Sequence, residues 1–364
     1  MKILLIEDNR SAVRAICDYA EDNEWEYNLC GFKEARDQIA IMNPEIIIMD
    51  WMYDAEAIHE GEPIFQNVYE NNFIPVIIFS AVAETIRLPE YVVNTPLIKV
   101  VQKGDEQDVI DLIEQWEKYI LAVKNLRCEL NKSLVSSVKA IDNFMKMSEY
   151  PGDEVVKHML NKRITYFFDK EFVDEHMPAW VQYEYPPIQG TLLVADVLRV
   201  CSETLDVKKP GKPEEYKVIL TPSCDMARAK SGQLVLVAKC HAANSFSDDA
   251  KLKKTEKLTD QSAQNKKDKL IRSLNTGYNY AKVALPMLPN KIPYMTINLK
   301  DIEQILIEEI ALSEDDIQNK KYYRVASMVS PYREQIVWAH MINSCRPGMP
   351  DRNMEEWAEG ILVQ

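Results

Sequence analysis

The sequence predicts an α/β N-terminal domain on a doubly wound five-stranded parallel sheet. A long helical connector follows, and then a C-terminal α+β domain with a β-rich core. Three observations carry this reading. Over residues 1–120, short apolar runs rich in β-branched residues alternate with segments of helical period; parallel strands covered on both faces read this way. Residues 105–147 contain no Gly or Pro and keep one apolar stripe. Beyond residue 180, strand-like runs recur between Pro/Gly turns. The expected boundaries are 1–118, 119–178 and 179–364.

The elements follow in order. Lys2–Ile6 is a short apolar strand, ended by Glu7, Asp8 and the turn residue Asn9. Val13, Ile16 and Cys17 have helical spacing, placing a helix over residues 11–19. Glu26–Cys30 is a second strand. A helix over residues 34–42 stops at Asn43-Pro44, because the residue before proline avoids the helical region. Ile46–Met49 is an unbroken apolar strand that Asp50 terminates. A carboxylate there is costly unless solvated, paired or metal-bound; a helix-capping Asp is the plain alternative. Residues 73–79 and 96–101 are the fourth and fifth strands, ending at Ser80 and near Lys103.

Right-handed crossovers place all these strand ends on one edge of the sheet. That edge gathers Glu7, Asp8, Asp50, Ser80 and Lys103. Singly, each reads as an ordinary solvated side chain. Together, three carboxylates without Cys or His suit a hard cation such as Mg²⁺. Such a carboxylate can take up a phosphoryl group as a nucleophile. The lysine and the hydroxyl would then stabilise its oxygens.

On these residues the first 118 positions resemble the receiver domain of two-component response regulators. That CheY-like family has an acidic pair after strand one, a phosphoacceptor Asp after strand three, Ser or Thr after strand four and Lys after strand five. The resemblance implies a flavodoxin-like fold, with Mg²⁺ held by Glu7 or Asp8, Asp50 and the Met52 carbonyl. It also implies phosphorylation at Asp50, assisted by Ser80 and Lys103, with a sensor histidine kinase or phosphotransfer protein as donor. Three departures stand out. Gly104 replaces the family's proline, Val100 replaces an aromatic switch residue, and the loop at residues 53–61 is long and acidic. Constitutive docking is therefore an alternative to phosphorylation-driven switching.

In the connector, apolar residues recur from Val109 through Trp116, Leu126 and Leu130 to Ile141 in steps of three and four. The stripe predicts either a parallel homodimer seam through residues 105–147 or packing along the chain's own C-terminal domain. Tyr150-Pro151-Gly152 interrupts it, and residues 154–172 are helical again, their aromatic residues read as core.

In the last domain, residues 191–200, 216–221 and 233–239 read as strands, in a small barrel or twisted sheet. Residues 299–311 and 333–343 read as helices. The polar, lysine-rich residues 247–269 read as a loop, and only weakly as a phosphate-binding patch. Thr221-Pro222-Ser223-Cys224-Asp225 follows a strand. Cys224, Cys240, His241 or His340, and Cys345 offer a chemically possible Zn²⁺ set, but the spacing matches no paired-cysteine pattern. Buried structural cysteines are the default reading, and a Cys224–His nucleophile pair is a lesser alternative. Arg346 and Asp351 are either site residues or helix caps.

Composition bounds the function. No run is long enough to span a membrane, no signal-peptide pattern opens the chain, and the seven cysteines form no framework, so a reducing cytoplasm is expected. Residues 1–122 carry 9 Lys and Arg against 24 Asp and Glu, within a net charge of −14. Such a domain suits divalent cations and disfavours DNA, and the near-neutral remainder does not signal nucleic-acid binding. The leading expectation is a Mg-dependent phosphoacceptor controlling an effector that does not bind DNA. The alternatives are an enzyme or zinc-containing effector centred on Cys224 and Asp225, and a non-enzymatic dimeric adaptor.

Overall fold

A computed structural model describes residues 1–51, 61–71, 74–88, 92, 95–145, 153–169, 177–188, 190–202, 205–345 and 353–362. The chain divides into two compact units, Met1–Val173 and Asp174–Gln364. Among the described residues no helix is long and apolar enough to cross a membrane.

The first unit holds β1 (Lys2–Ile6), α1 (Arg14–Asp22), β2 (Glu26–Cys30), α2 (Phe32–Met42), β3 (Ile46–Met49), α3 (Gly61–Asn71), β4 (Val76–Ser80), β5 (Ile98–Gln102), α4 (Glu106–Met145) and α5 (Asp153–Asp169). Its five strands are parallel, in the order β2-β1-β3-β4-β5, the order of flavodoxin-like doubly wound sheets. Alternation along the strands divides the core. Ile3, Leu5, Ile46, Ile48, Ile77 and Phe79 meet α1 and the start of α4. Leu4, Ile6, Ile47, Met49, Val76 and Ile78 meet α2 and α3 on the opposite face. This is why the apolar run of β3 has no polar break: both faces are covered. Asn43 ends α2 in the left-handed region, which asparagine tolerates, just before Pro44.

One expectation is corrected here. Strand and helix do not alternate throughout, because among the described residues the link from β4 to β5 holds only short 3₁₀ turn, Ala83–Thr85 being the longest. Pro89 and Pro96 cut that segment into runs too short for a helix.

Helix α4 has 40 residues, roughly 60 Å at about 1.5 Å per residue. Val109, Ile113, Trp116 and Ile120 bury its first half against the unit's own sheet. Its second half packs with α5, and Ser133, Ser137 and Ile141 are buried. The apolar stripe is thus divided, leaving Leu126, Leu130, Val135 and Val138 exposed.

The second unit contains β6 (Tyr183–Glu184), β7 (Asp196–Val200), β8 (Tyr216–Ile219), α6 (Ser223–Met226), β9 (Leu234–Ala242), α7 (Gln261–Thr276), β10 (Lys282–Leu285), β11 (Met295–Leu306), β12 (Ile310–Ala311), β13 (Tyr322–Met328), α8 (Tyr332–Ser344) and α9 (Met354–Leu362). Its eight-stranded sheet runs β10-β11-β9-β8-β7-β13-β12, with β6 also on β13. All pairs are antiparallel except β12 with β13. One face packs on Ile336 and Ala339 of α8. The other buries Leu198, Ile219, Val235, Val237 and Ile305.

Three further expectations are corrected. Residues 299–311 are not a helix but the end of β11, a 3₁₀ turn over Ile307–Glu309 and β12; a bulge between Asn298 and Ile302 shifts the β11 register, so the apolar spacing mimics a helical period. Residues 247–269 are not one loop, since α7 begins at Gln261, its first turn anchored by buried Ala263. Residues 191–195 form a turn before β7, where Leu193 N donates to the Asp196 carboxylate at 2.8 Å and Ala195 has φ +65°. Within this unit Arg324 is fully buried. It donates to the carbonyls of Leu312 (3.0 Å), Thr191 (3.0 Å) and Ile188 (2.8 Å), and sits 3.4 Å from Asp196.

Candidate functional site

The predicted cluster forms at the carboxyl edge of the parallel sheet. Asp50 N donates to the Ile6 carbonyl at 3.0 Å and Lys103 N to the Ser80 carbonyl at 3.0 Å. The ends of β1, β3, β4 and β5 are therefore tied together by backbone bonds. Lys103 Nζ lies 2.6 Å from Glu7 Oε2 and 2.8 Å from Asp50 Oδ2. Both carboxylates are well shielded, with Glu7 6% and Asp50 13% exposed at the side chain. Burial acts to lower the Lys103 pKa, but the Asp50 and Glu7 carboxylates outweigh it and hold it above its ordinary value.

The remaining oxygens are differentiated. Glu7 Oε1 accepts from Asn9 N at 3.0 Å, and Asp50 Oδ1 from Trp51 N at 2.7 Å. Glu7 Oε2 is buried and receives no aligned hydrogen bond; its contact with Lys103 is an ion pair. Ser80 Oγ is also buried without a hydrogen-bond partner among the described residues. Among the described residues the site thus holds a carboxylate oxygen engaged only by the Lys103 ion pair and a buried hydroxyl with no partner.

The five predicted residues do not all converge. Asp8 is exposed and makes no hydrogen bond or ion pair among the described residues. Its Oδ1 rests on Gly31, where a Cβ would come within 2.5 Å. No group of three His, Cys, Asp or Glu side chains is gathered among the described residues. Two carboxylates, Glu7 and Asp50, do approach a single nitrogen. They suit Mg²⁺, which takes one or two carboxylates and keeps several waters. The Met52 carbonyl and nearly all of the acidic loop after Asp50 lie outside the described residues.

Sequence reasoning missed Gly31 and Gly61. A Cβ at Gly61 would sit 2.9 Å from the Asp50 carbonyl oxygen and 3.1 Å from Trp51. A glycine at each place was the available signal, but nothing local tied it to the acidic edge. Val100 is half-buried on β5, and Gly104 adopts φ +107°, a conformation proline cannot reach.

The second candidate region does not assemble. Cys240 lies in the core, and burial pushes its thiol pKa far up. Its neighbour His241 faces the opposite side of β9, where Nε2 is 3.1 Å from Asp301 Oδ2. Cys224 and Cys345 are exposed. His340 sits on α8 beside Ser344. Among the described residues Cys224 Sγ bonds only its neighbour Asp225, at 3.6 Å, and no histidine. The hydroxyls of this motif are structural: Thr221 accepts from Leu236 N at 2.7 Å and Ser223 from Val194 N at 2.9 Å. Arg346 and Asp351 lie outside the described residues.

No protein-family model and no curated protein matches the chain. Solved structures that match it include response-regulator receiver domains. One is a response regulator from Desulfuromonas acetoxidans, at 18% identity over 32% of this chain and 97% of that one, TM-score 0.26. Another is the Francisella response regulator 1452 receiver domain, at 21% identity over 32% and 98%, TM-score 0.26. A third is the pseudo-receiver domain of the CikA protein, at 17% identity over 31% and 94%, TM-score 0.23.

Proposed function

We propose that the first unit is a Mg-dependent phosphoacceptor of the response-regulator kind. On this reading Asp50 takes a phosphoryl group from a histidine kinase or phosphotransfer protein and controls a C-terminal effector that does not bind DNA. The observation that carries it is Lys103 Nζ set between Glu7 and Asp50 at the ends of three parallel strands. Asp50 Oδ2 is the nucleophile: it faces the Lys103 ammonium at 2.8 Å, which can pass to the incoming phosphoryl oxygens, while Oδ1 stays on the Trp51 amide. As Oδ2 bonds to phosphorus, the donor's N–P bond breaks and its electron pair returns to the imidazole. Lys103 follows the developing charge onto the phosphoryl oxygens, and the unpartnered Ser80 hydroxyl donates to one of them. Mg²⁺ held by Glu7 and Asp50 would supply further charge neutralisation there.

The test is intact-mass analysis of the full chain after incubation with Mg²⁺ and acetyl phosphate. One phosphoryl adduct is expected, absent in Asp50→Asn and in EDTA. No adduct, together with no beryllofluoride binding, sinks the assignment.

Exposed Leu126 and Leu130, one turn apart on the same face of α4, favour a second element, a homodimer through this helix. Light scattering at micromolar concentration should give a dimer that Leu126→Glu with Leu130→Glu dissociates. A wild-type monomer, with and without phosphodonor, rules it out.

A further inference from the structure

Residues 246–300 carry 11 Lys and Arg against 5 Asp and Glu, in a chain whose net charge is −14. This basic segment surrounds a cleft of about 390 Å³ in the second unit, within the roughly 300–1,000 Å³ of small-molecule sites. One wall is the turn Asn279–Lys282, closed by Asn279 N to Lys282 O at 2.8 Å and Lys282 N to Asn279 O at 3.0 Å. Asn279 Nδ2 ties that turn to the Phe246 carbonyl at 3.1 Å. At its tip Tyr280 has φ +52° and is 75% exposed. A large aromatic ring is thus presented to solvent by a turn that lines the cleft.

The lining also supplies donors. Ser247 is 9% exposed, and its buried hydroxyl has no hydrogen-bond partner. Lys282 Nζ is anchored on the Ser245 carbonyl, which leaves it ammonium hydrogens to donate. Lys300 Nζ has no ion-pair partner among the described residues. Asn298 Oδ1 accepts from Lys300 N at 3.1 Å, so its amide NH₂ is left to donate. The acid on the rim, Asp248, is already paired with Lys251 at 3.0 Å. Next to the lining residue Asp248, α7 packs on the turn Asp248–Ala250.

We propose that this cleft binds a nucleoside phosphate, its phosphate on Ser247, Lys282 and Lys300 and its base stacked on Tyr280. The donors outnumber the acceptors, which selects an anion rich in acceptor oxygens. The ring adds a stacking platform that every base can use. This inference does not depend on phosphoryl uptake at Asp50.

Calorimetric titration of the full chain tests it in EDTA, which keeps Mg-dependent chemistry at Asp50 out of the measurement. The probes are ATP, AMP, adenosine, inorganic phosphate and a thymidine oligonucleotide. Saturable binding of AMP or ATP is expected, with adenosine and phosphate at least tenfold weaker. Ser247→Ala, Lys300→Ala and Tyr280→Asn should each weaken it at least fivefold without moving the urea midpoint; asparagine tolerates the Tyr280 backbone. The proposal fails if no mononucleotide binds, if the variants bind as wild type, or if phosphate alone binds as tightly. It also fails if the oligonucleotide binds more tightly than AMP, which would make the cleft a nucleic-acid surface.

Discussion

Replacing Lys103 with methionine removes the cation that Glu7 and Asp50 share at 2.6 and 2.8 Å. Breaking a buried ion pair from one side costs about 3–5 kcal/mol, because the other charge stays buried and uncompensated. Lys103 is 20% exposed and Asp50 13%, so water reaches part of the cluster and screens it. A loss of about 2–3 kcal/mol is therefore expected. Hydrogen exchange by mass spectrometry reads this locally, which matters because a two-unit chain need not unfold in one step. Peptides covering β1 and β3 should exchange roughly 30- to 150-fold faster, since about 1.4 kcal/mol is tenfold. Added Mg²⁺ should restore more protection in the variant than in wild type. The sign with pH follows from the raised Lys103 pKa, whose ordinary value is 10.5. The contribution is fully present below that value and is lost only as pH rises through the higher folded pKa. The difference between variant and wild type should thus stay constant from about pH 6 to 9. Unchanged protection in Lys103→Met would refute the reasoning, since the two acids would then be solvated well enough not to need a counter-ion.

Ser80→Ala should leave stability within about 0.5 kcal/mol of wild type or raise it, because the buried hydroxyl makes no hydrogen bond. The same variant should slow phosphoryl uptake; a clear loss in urea unfolding would reveal a hidden partner. Arg324→Met should cost the second unit about 3–5 kcal/mol by stranding Asp196 and the three carbonyls that Arg324 serves. A urea-midpoint change worth under about 1 kcal/mol contradicts that role. Burial lowers the His340 pKa below its ordinary 6.5. Stability from its neutral ring is present above that value and lost as pH falls through the folded pKa. Melting of the second unit should fall between about pH 7 and 5, and less steeply in His340→Gln; equal slopes would exclude the contribution.

The acidic edge was legible in the sequence because each of its residues ends a strand of unmistakable apolar character. Ile46–Met49 has no second reading, so Asp50 could be placed at a crevice. The turning of Asp8 onto Gly31 was not legible, since a contact between neighbouring strand ends leaves no mark on either local pattern. In the second unit the signals conflict. Leu299, Ile302, Ile305 and Leu306 are spaced like a helix face, yet they lie in β11, whose register shifts after Asn298. The tertiary pairing of β11 with β9 overrides local period there. Helix α7 was hidden for the opposite reason: among its buried residues only Ala263 marks an apolar face, and its lysines read as loop.

The bare link between β4 and β5 has a bearing on how the acidic pocket responds to its surroundings. Ile98 and Val101 are buried, but Lys99 and Gln102 are exposed and Val100 is half-buried, whereas all of β3 and β4 is buried. The lysine therefore follows an edge strand, while Glu7 and Asp50 are rooted in the interior strands. Amides of residues 101–103 should exchange ahead of those of β1, because fraying begins at this hem. Each such event would move the ammonium away from Glu7 and Asp50, whose own strands stay paired.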